Sequence, residues 1–167
     1  MLGKSKMTVV LGIRYLLWYL ISIPVTWLVP TRKDRVILAS NRGEGLSGNA
    51  RYLFETWQRD GSFEVWAVVS RKDVYKELSE KYPHVLFAFS WEAIKVSAQA
   101  EFFILTHGRL DVPFCGSRKI IIQTWHGIPF KAIGFYSNNK ISEKIRNLLY
   151  KWFDYDSIDY FLSSSGY

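Results

Sequence analysis

The sequence is poor in the residues that build disulfides and metal sites. Cys115 is the single cysteine among 167 residues, which excludes an internal disulfide and a cysteine-rich zinc site. No cluster of histidines and carboxylates has the spacing of metal ligands, and no two carboxylates have the spacing of an acid–base pair. Internal repeats and low-complexity segments are also absent. No metal site is therefore predicted.

Apolar and basic residues are plentiful. Hydrophobic residues make up 49% of the chain and aromatic residues 17%, which is enough for one globular domain with a substantial core but too little for two large ones. The 22 Lys and Arg residues outnumber the 15 Asp and Glu residues, giving a formal net charge of +7. This balance favours anionic partners such as a membrane surface or a phosphorylated substrate. Nucleic acid is disfavoured because the cations are spread out and form no recognition motif.

Residues 7–29 form a nearly uninterrupted apolar segment whose one charge is Arg14. Basic residues flank it on both sides. We predict a helix within residues 1–30 that lies in the membrane interface, with Trp18, Tyr19 and Trp27 at headgroup level. A helix that spans the bilayer and a buried core helix are the alternatives. A signal peptide is disfavoured, because bulky residues stand where a small-residue cleavage site would be.

Short apolar runs alternate with amphipathic stretches over residues 31–167. Strands are predicted at 35–40, 64–70, 85–89, 101–106, 119–124 and 159–163. Helices are predicted at 48–59, 71–82, 91–100 and 141–153. This alternation predicts an α/β fold with a Rossmann-like parallel sheet covered on both faces. Because the chain ends just after an apolar strand, we expect it to be truncated before a further helix or domain.

Glycines follow the first predicted strand in the pattern G-x-G-x-x-G, at Gly43, Gly45 and Gly48. This is the spacing of a dinucleotide-binding turn, but it also fits a plain loop that turns tightly before a helix. A dinucleotide site needs an acidic residue at the end of the second strand, where this chain has Ser70 followed by Arg71. NAD is therefore disfavoured, and no cofactor is predicted.

Two predicted strands end alike, one in His107-Gly108 and the other in His126-Gly127. Residues just past the carboxyl end of a strand in an open α/β sheet line the ligand crevice, and a glycine there lets a phosphate approach main-chain N–H groups. A histidine at such a place can also be a structural, hydrogen-bonded residue. Arg109 and Lys131 follow the two pairs and could reach an anionic group, or remain solvated surface cations.

The segment Gln-Thr-Trp-His-Gly-Ile-Pro-Phe-Lys at 123–131 closely resembles the Gln-Thr-Trp-His-Gly-Thr-Pro-Leu-Lys segment of the CDP-glycerol glycerophosphotransferases, which make teichoic acids and related polymers. Residues 48–55, 109–113 and 159–167 are similar to further segments of that family, so the resemblance runs from about 35 to 167. Departures include Ile128 for threonine, Phe130 for leucine, Ala50 for proline, and His107-Gly108 where asparagines are usual.

The resemblance implies the amino-terminal, acceptor-side half of a two-domain GT-B enzyme. Such an enzyme transfers glycerol phosphate, or a similar polyol phosphate, from a CDP-linked donor to a hydroxyl of a lipid-linked or polymeric acceptor and releases CMP. The resemblance also implies that His126 is the base that takes the acceptor proton. Gly127, Lys131, Arg109 and His107 are the predicted phosphate or substrate contacts. The half on its own is expected to be inactive, and it is expected on the cytoplasmic side of the membrane, where the donor is made.

Two other classes of protein also fit the sequence. An NADP-dependent oxidoreductase would place Arg71 and Lys72 on the 2′-phosphate of its cofactor. A non-catalytic, membrane-bound module would bind a phosphopolymer without using His126, since a fold does not by itself imply catalysis.

Overall fold

The computed structural model describes residues 2–107, 111–112, 119–124 and 158–162. One sheet contains six strands: β1 (Arg32–Ala39), β2 (Glu64–Val69), β3 (Val85–Phe87), β4 (Ala100–Leu105), β5 (Ile120–Gln123) and β6 (Tyr160–Phe161). The described helices are α1 (Leu2–Leu28), α2 (Gly48–Asp60), α3 (Lys72–Lys81) and α4 (Trp91–Gln99). The strand order is β3-β2-β1-β4-β5-β6, and every pairing is parallel.

The predicted α/β architecture is confirmed, because all six predicted strands join one parallel sheet. The predicted helix at 141–153 lies outside the described residues. The strand prediction at 85–89 was too long. In the structure β3 ends at Phe87, where the main-chain N–H of Ser90 donates to the Phe87 carbonyl at 3.0 Å. The Ser90 hydroxyl then accepts the N–H of Ala93 and begins α4, so the chain turns as soon as the strand ends.

Alternating strand residues build two cores, one on each face of the sheet. Ile37 and Ala39 of β1 face the core that α4 helps to cover, which also contains Phe103 and Leu105. Val36 and Leu38 face the core beneath α2 and α3, where Phe54 is fully buried. Burial of both faces explains the near-continuous hydrophobic runs of these strands. Because the strands are parallel, their carboxyl ends lie together at one edge of the sheet.

Charged side chains are buried at the opposite, amino-terminal edge. Arg35 donates to the carboxylate of Glu64 at 2.6 Å and also to the side chain of Gln99. Lys119, which precedes β5, donates to the Ala98 carbonyl at 2.6 Å, and burial lowers the pKa of its ammonium group to about 8. These contacts join β1, β2 and β5 to the end of α4.

Helix α1 packs beside α4 and continues through Pro24. Arg14, the one charge in the apolar segment 7–29, forms a cation–π contact. Its guanidinium carbon lies 3.8 Å from the centre of the Phe89 ring. The Trp18 ring contacts the same Phe89 ring edge-on, at 6.3 Å between centroids. Other apolar side chains of α1 are exposed, and Leu16, Leu17 and Leu20 each expose more than half of their surface. None of the helices in the described ranges is long and apolar enough to cross a membrane.

Candidate functional site at the switch point

The sheet has its topological switch point between β1 and β4. From β1 the chain proceeds outward to β2 and β3, whereas from β4 it proceeds the other way to β5 and β6. The connections therefore diverge and leave a crevice outside the carboxyl ends of β1 and β4, which is where open α/β sheets bind ligands. The residues that leave these two strands are Ser40 and Asn41 on one side and Thr106 and His107 on the other.

The turn after β1 has an unusual backbone. Asn41, Arg42 and Gly43 have φ values of 50°, 55° and 74°, so three consecutive residues are left-handed. This conformation costs about 1 kcal/mol for a residue with a side chain, although asparagine tolerates it better than most. Gly43 is required for a second reason, because a Cβ atom there would lie 2.9 Å from the Ser70 hydroxyl oxygen. The turn is thus pressed against the end of β2.

Ser40 fixes the glycine-rich stretch that follows. Its buried hydroxyl donates to the Gly45 carbonyl at 2.9 Å and accepts the N–H of Ser47 at 3.0 Å. Helix α2 then begins at Gly48, whose φ of 56° is again left-handed. The glycines of this pattern therefore allow the chain to turn from β1 into α2.

The end of β2 does not resemble a ribose site. Ser70 replaces the carboxylate of a dinucleotide fold, and its main-chain N–H donates to the Gly43 carbonyl at 2.6 Å. Its hydroxyl is directed to the Arg42 carbonyl at 3.4 Å. Ser70 therefore offers no carboxylate to a ribose, and its N–H and hydroxyl are bonded within the protein, which argues against the oxidoreductase alternative.

Asp111 connects the two sides of the crevice through hydrogen bonds to main-chain N–H groups. Its side chain is fully buried, and Oδ2 accepts the main-chain N–H groups of Thr106 and His107, each at 2.8 Å. Oδ1 accepts the N–H of Arg42 at 2.6 Å. Burial raises the pKa of the carboxyl group, and the three N–H donors oppose that rise without cancelling it. One carboxylate therefore ties the turn after β1 to the loop after β4.

Sequence reasoning missed this role of Asp111. A signal was present, because Asp111 is the single acidic residue between Glu101 and Lys119. An acidic residue that stands alone between two buried strands is a candidate for accepting loop N–H groups, since buried carboxylates require partners.

His107 lies at the crevice, as its position after a strand predicted. Its Nδ1 accepts the N–H of Asn41 at 3.2 Å and lies 2.8 Å from the Thr106 hydroxyl. Since donors face Nδ1, the neutral ring carries its proton on Nε2. The 4.0 Å separation between Nδ1 and Asp111 Oδ1 is too long for a hydrogen bond. The ring thus has a structural function on its Nδ1 side, and its side chain is 24% exposed.

The other predicted site residues, Arg109, His126, Gly127 and Lys131, lie outside the described residues. The strand that leads to His126 is described, and it is β5, the neighbour of β4. Thr124 follows β5, and its N–H donates to the Leu105 carbonyl at 2.9 Å. The Thr124 hydroxyl is buried, and no described residue forms a hydrogen bond with it. In the described ranges no three His, Cys, Asp or Glu side chains converge on a possible metal position.

The family model for CDP-glycerol:poly(glycerophosphate) glycerophosphotransferases matches residues 21–167, which is most of the chain. The chain belongs to this family. No curated protein sequence matches it.

Solved structures similar to this glycerophosphotransferase-family chain include the wall teichoic acid polymerase TagF. A histidine-to-alanine variant of TagF superposes with a TM-score of 0.66 at 15% identity, over 81% of this chain and 34% of the polymerase chain. A histidine-to-asparagine variant soaked with CDPG superposes with a TM-score of 0.60 at the same identity and coverage. At this identity the likeness establishes the fold. The chain spans about a third of the length of these polymerase chains.

Proposed function

We propose that this protein transfers glycerol phosphate, or a related polyol phosphate, from a CDP-linked donor to a hydroxyl of a lipid-linked or polymeric acceptor, releasing CMP. The observation that carries the proposal is the family match across 21–167 on a chain whose sheet opens at a Rossmann-type switch point. The complete protein would be a two-domain GT-B enzyme of teichoic acid or related polymer synthesis. This chain would supply its acceptor-side, Rossmann-like domain.

The residues assigned to the reaction follow strands β4 and β5. An alcohol that attacks phosphorus needs a base within hydrogen-bond reach, together with cations or N–H groups near the phosphoryl oxygens. In this proposal His126, two residues beyond Thr124 in the sequence, takes the proton of the acceptor hydroxyl. The Gly127 N–H and the Lys131 and Arg109 side chains stabilise the phosphoryl charge. His107, at the crevice itself, contacts the substrate.

We also propose that the protein is peripheral to the cytoplasmic face of the cell membrane. Two features support this placement: exposed leucines on α1 and basic residues on both sides of that helix in the sequence. An apolar helix face buried at the headgroup boundary, together with cations that meet anionic lipid, is the usual basis of interfacial binding. The arrangement keeps the enzyme beside a lipid-linked acceptor and exposed to a cytosolic donor.

The proposal is tested by CMP release from CDP-glycerol, using membranes that contain the complete gene product. His126→Ala should lower the rate at least about 100-fold, because a positioned base is worth roughly 10²–10⁴-fold. His84→Ala is the matched control and should leave the rate unchanged. His84 precedes β3 at the opposite edge of the sheet, where its ring stacks on Trp66 at 4.4 Å between centroids.

Each result has one interpretation. If His126→Ala retains the wild-type rate in a folded protein, the assignment of the base is wrong. If the wild type releases no CMP from CDP-glycerol or CDP-ribitol, a non-catalytic phosphopolymer-binding module becomes the better explanation.

A further inference from the structure

Arg42 occupies the middle of the left-handed turn at the switch point, and its backbone is held from two sides. Its N–H donates to Asp111 Oδ1 at 2.6 Å, on the β4 side of the crevice. Its carbonyl accepts the Ser70 hydroxyl at 3.4 Å, on the β2 side. The side chain itself is exposed. The fold therefore fixes the main chain of Arg42 at the crevice and leaves the guanidinium open to solvent.

The guanidinium has no carboxylate partner within the described ranges. Asp111, which accepts the Arg42 N–H, is fully buried and accepts three main-chain N–H groups. Glu44, two residues further along, forms no ion pair with Arg42 in the described ranges. The pKa of the nearby Arg71 guanidinium is raised mainly by its hydrogen bond to Asp73 and only to a smaller extent by the Glu44 charge. A positive charge without a partner among the described side chains therefore stands beside the crevice.

The strained backbone of Arg42 is a second argument for a ligand contact at this residue. Glycine would adopt the left-handed conformation of residue 42 without cost, as Gly43 does next to it, yet the chain has arginine there. Strained backbone held in place by surrounding contacts is concentrated at ligand sites. A guanidinium fork matches the oxygens of a phosphate group, with which it forms paired, charge-assisted hydrogen bonds.

We infer that Arg42 binds a phosphate group of a substrate at the switch point, with Asp111 as the residue that positions it. The inference rests on the function proposed above, which supplies two phosphate-bearing ligands. One is the glycerol phosphate unit of the acceptor, and the other is the CDP-linked donor. Both offer the same chemistry to the guanidinium, so the experiment must separate them.

Equilibrium binding to the complete protein, without turnover, tests the inference. The probes are glycerol 3-phosphate and CDP-glycerol, with glycerol as the uncharged control ligand. Arg42→Gln should weaken binding of at least one phosphate ligand about tenfold, as expected for loss of a charge-assisted hydrogen bond. Arg59→Gln is the matched control and should bind as the wild type does. Arg59 is an exposed arginine in the last turn of α2, the end away from the crevice.

The pattern of loss identifies the source of the phosphate. A loss confined to glycerol 3-phosphate assigns Arg42 to the acceptor, and a loss confined to CDP-glycerol assigns it to the donor. Wild-type affinity of Arg42→Gln for both ligands overturns the inference, and so does a wild type that binds neither. CMP release by the wild type is scored separately. The proposed reaction can therefore stand when the Arg42 site fails, and the site can stand when the reaction fails.

Glycine substitutions separate the guanidinium from the backbone. Arg42→Gly should lose the same affinity as Arg42→Gln while its unfolding temperature does not fall, because glycine suits the left-handed turn. Asn41→Gly changes the neighbouring left-handed residue in the same way and keeps Arg42. It should bind within about twofold of the wild type, a difference too small for a lost charge-assisted contact. If Asn41→Gly weakens binding as much as Arg42→Gly, the backbone conformation is responsible and the inference is wrong.

Discussion

At the scale of single residues, two glycines of the switch-point loop share a backbone conformation but differ in the space around them. Gly43 has φ +74°, and a Cβ there would lie 2.9 Å from the Ser70 hydroxyl and 3.2 Å from the Asp111 carbonyl oxygen. Gly48 has φ +56°, and no atom lies within 4 Å of the position of its Cβ. The pair therefore separates the cost of left-handed strain from the cost of a steric clash.

We predict that Gly48→Ala lowers the free energy of unfolding by about 1 kcal/mol, the cost of a left-handed alanine. Gly43→Ala should lower it by about 3 kcal/mol, because the clash with a main-chain oxygen adds to the same strain. Urea unfolding followed by circular dichroism measures both. Gly45→Ala is the control. Gly45 has open space and no positive φ, so its substitution should be nearly neutral. Equal losses at Gly43 and Gly48 would mean that the close contacts with Ser70 and the Asp111 carbonyl oxygen do not constrain residue 43.

At the scale of secondary-structure elements, the sequence predicted the strands well because burial on both faces leaves long apolar runs. The start of β1 is an informative exception. The apolar pattern places it at residue 35, whereas the strand begins at Arg32. Charged residues can enter the sheet there because Arg32 and Arg35 both pair with Glu64 on the adjacent strand. The hydrophobic pattern of the sequence does not show which charged residues pair across neighbouring strands.

The same limit applies to the candidate site. The position of His107 was predictable, because it follows a strand whose end is marked by the sequence. The hydrogen bond between the Arg42 N–H and Asp111 was not predictable, because these two residues are 69 apart in the chain. That contact exists only because β1 and β4 are neighbours in the sheet, and periodicity predicts strands without giving their order.

Lys119, which joins β5 to α4, should make the stability of the protein depend on pH. It lies just before β5 and is buried, and its ammonium group donates a hydrogen bond to a carbonyl in the last turn of α4. Burial lowers its pKa from 10.5 to about 8. The folded state thus binds fewer protons than the unfolded state between these two pH values, so stability should rise with pH across that window.

The expected gain for the wild type is about 2 kcal/mol between pH 7 and pH 10, relative to Lys119→Met. Methionine keeps much of the side-chain volume and has no titrating group, so the other ionisable groups cancel in the difference. Unfolding in urea at several pH values measures it. A wild-type-minus-variant difference that stays constant with pH would show that the ammonium group reaches solvent in the folded protein.

At the scale of the whole molecule, the chain combines a crevice at one edge of its sheet with an exposed apolar helix. Helix α1 contacts Phe89 through Trp18 and Arg14, whereas Leu16, Leu17 and Leu20 of the same helix are exposed. Exposed apolar residues that lie together on one helix are uncommon on a protein surface without a partner. The formal net charge of +7 makes an anionic lipid surface a suitable partner.

We predict that a double substitution, Leu16→Ser with Leu20→Ser, weakens binding to vesicles containing anionic lipid at least about tenfold. The two residues are four apart on α1, 56% and 53% exposed, and each contributes roughly 1 kcal/mol when its exposed apolar surface is buried. Tyr52→Ser is the control, because Tyr52 is 71% exposed but lies on α2. Vesicle co-sedimentation measures binding, and circular dichroism checks the fold. If the double variant sediments as the wild type does, α1 is not the membrane contact, and the interfacial placement must be abandoned even if transferase activity is found.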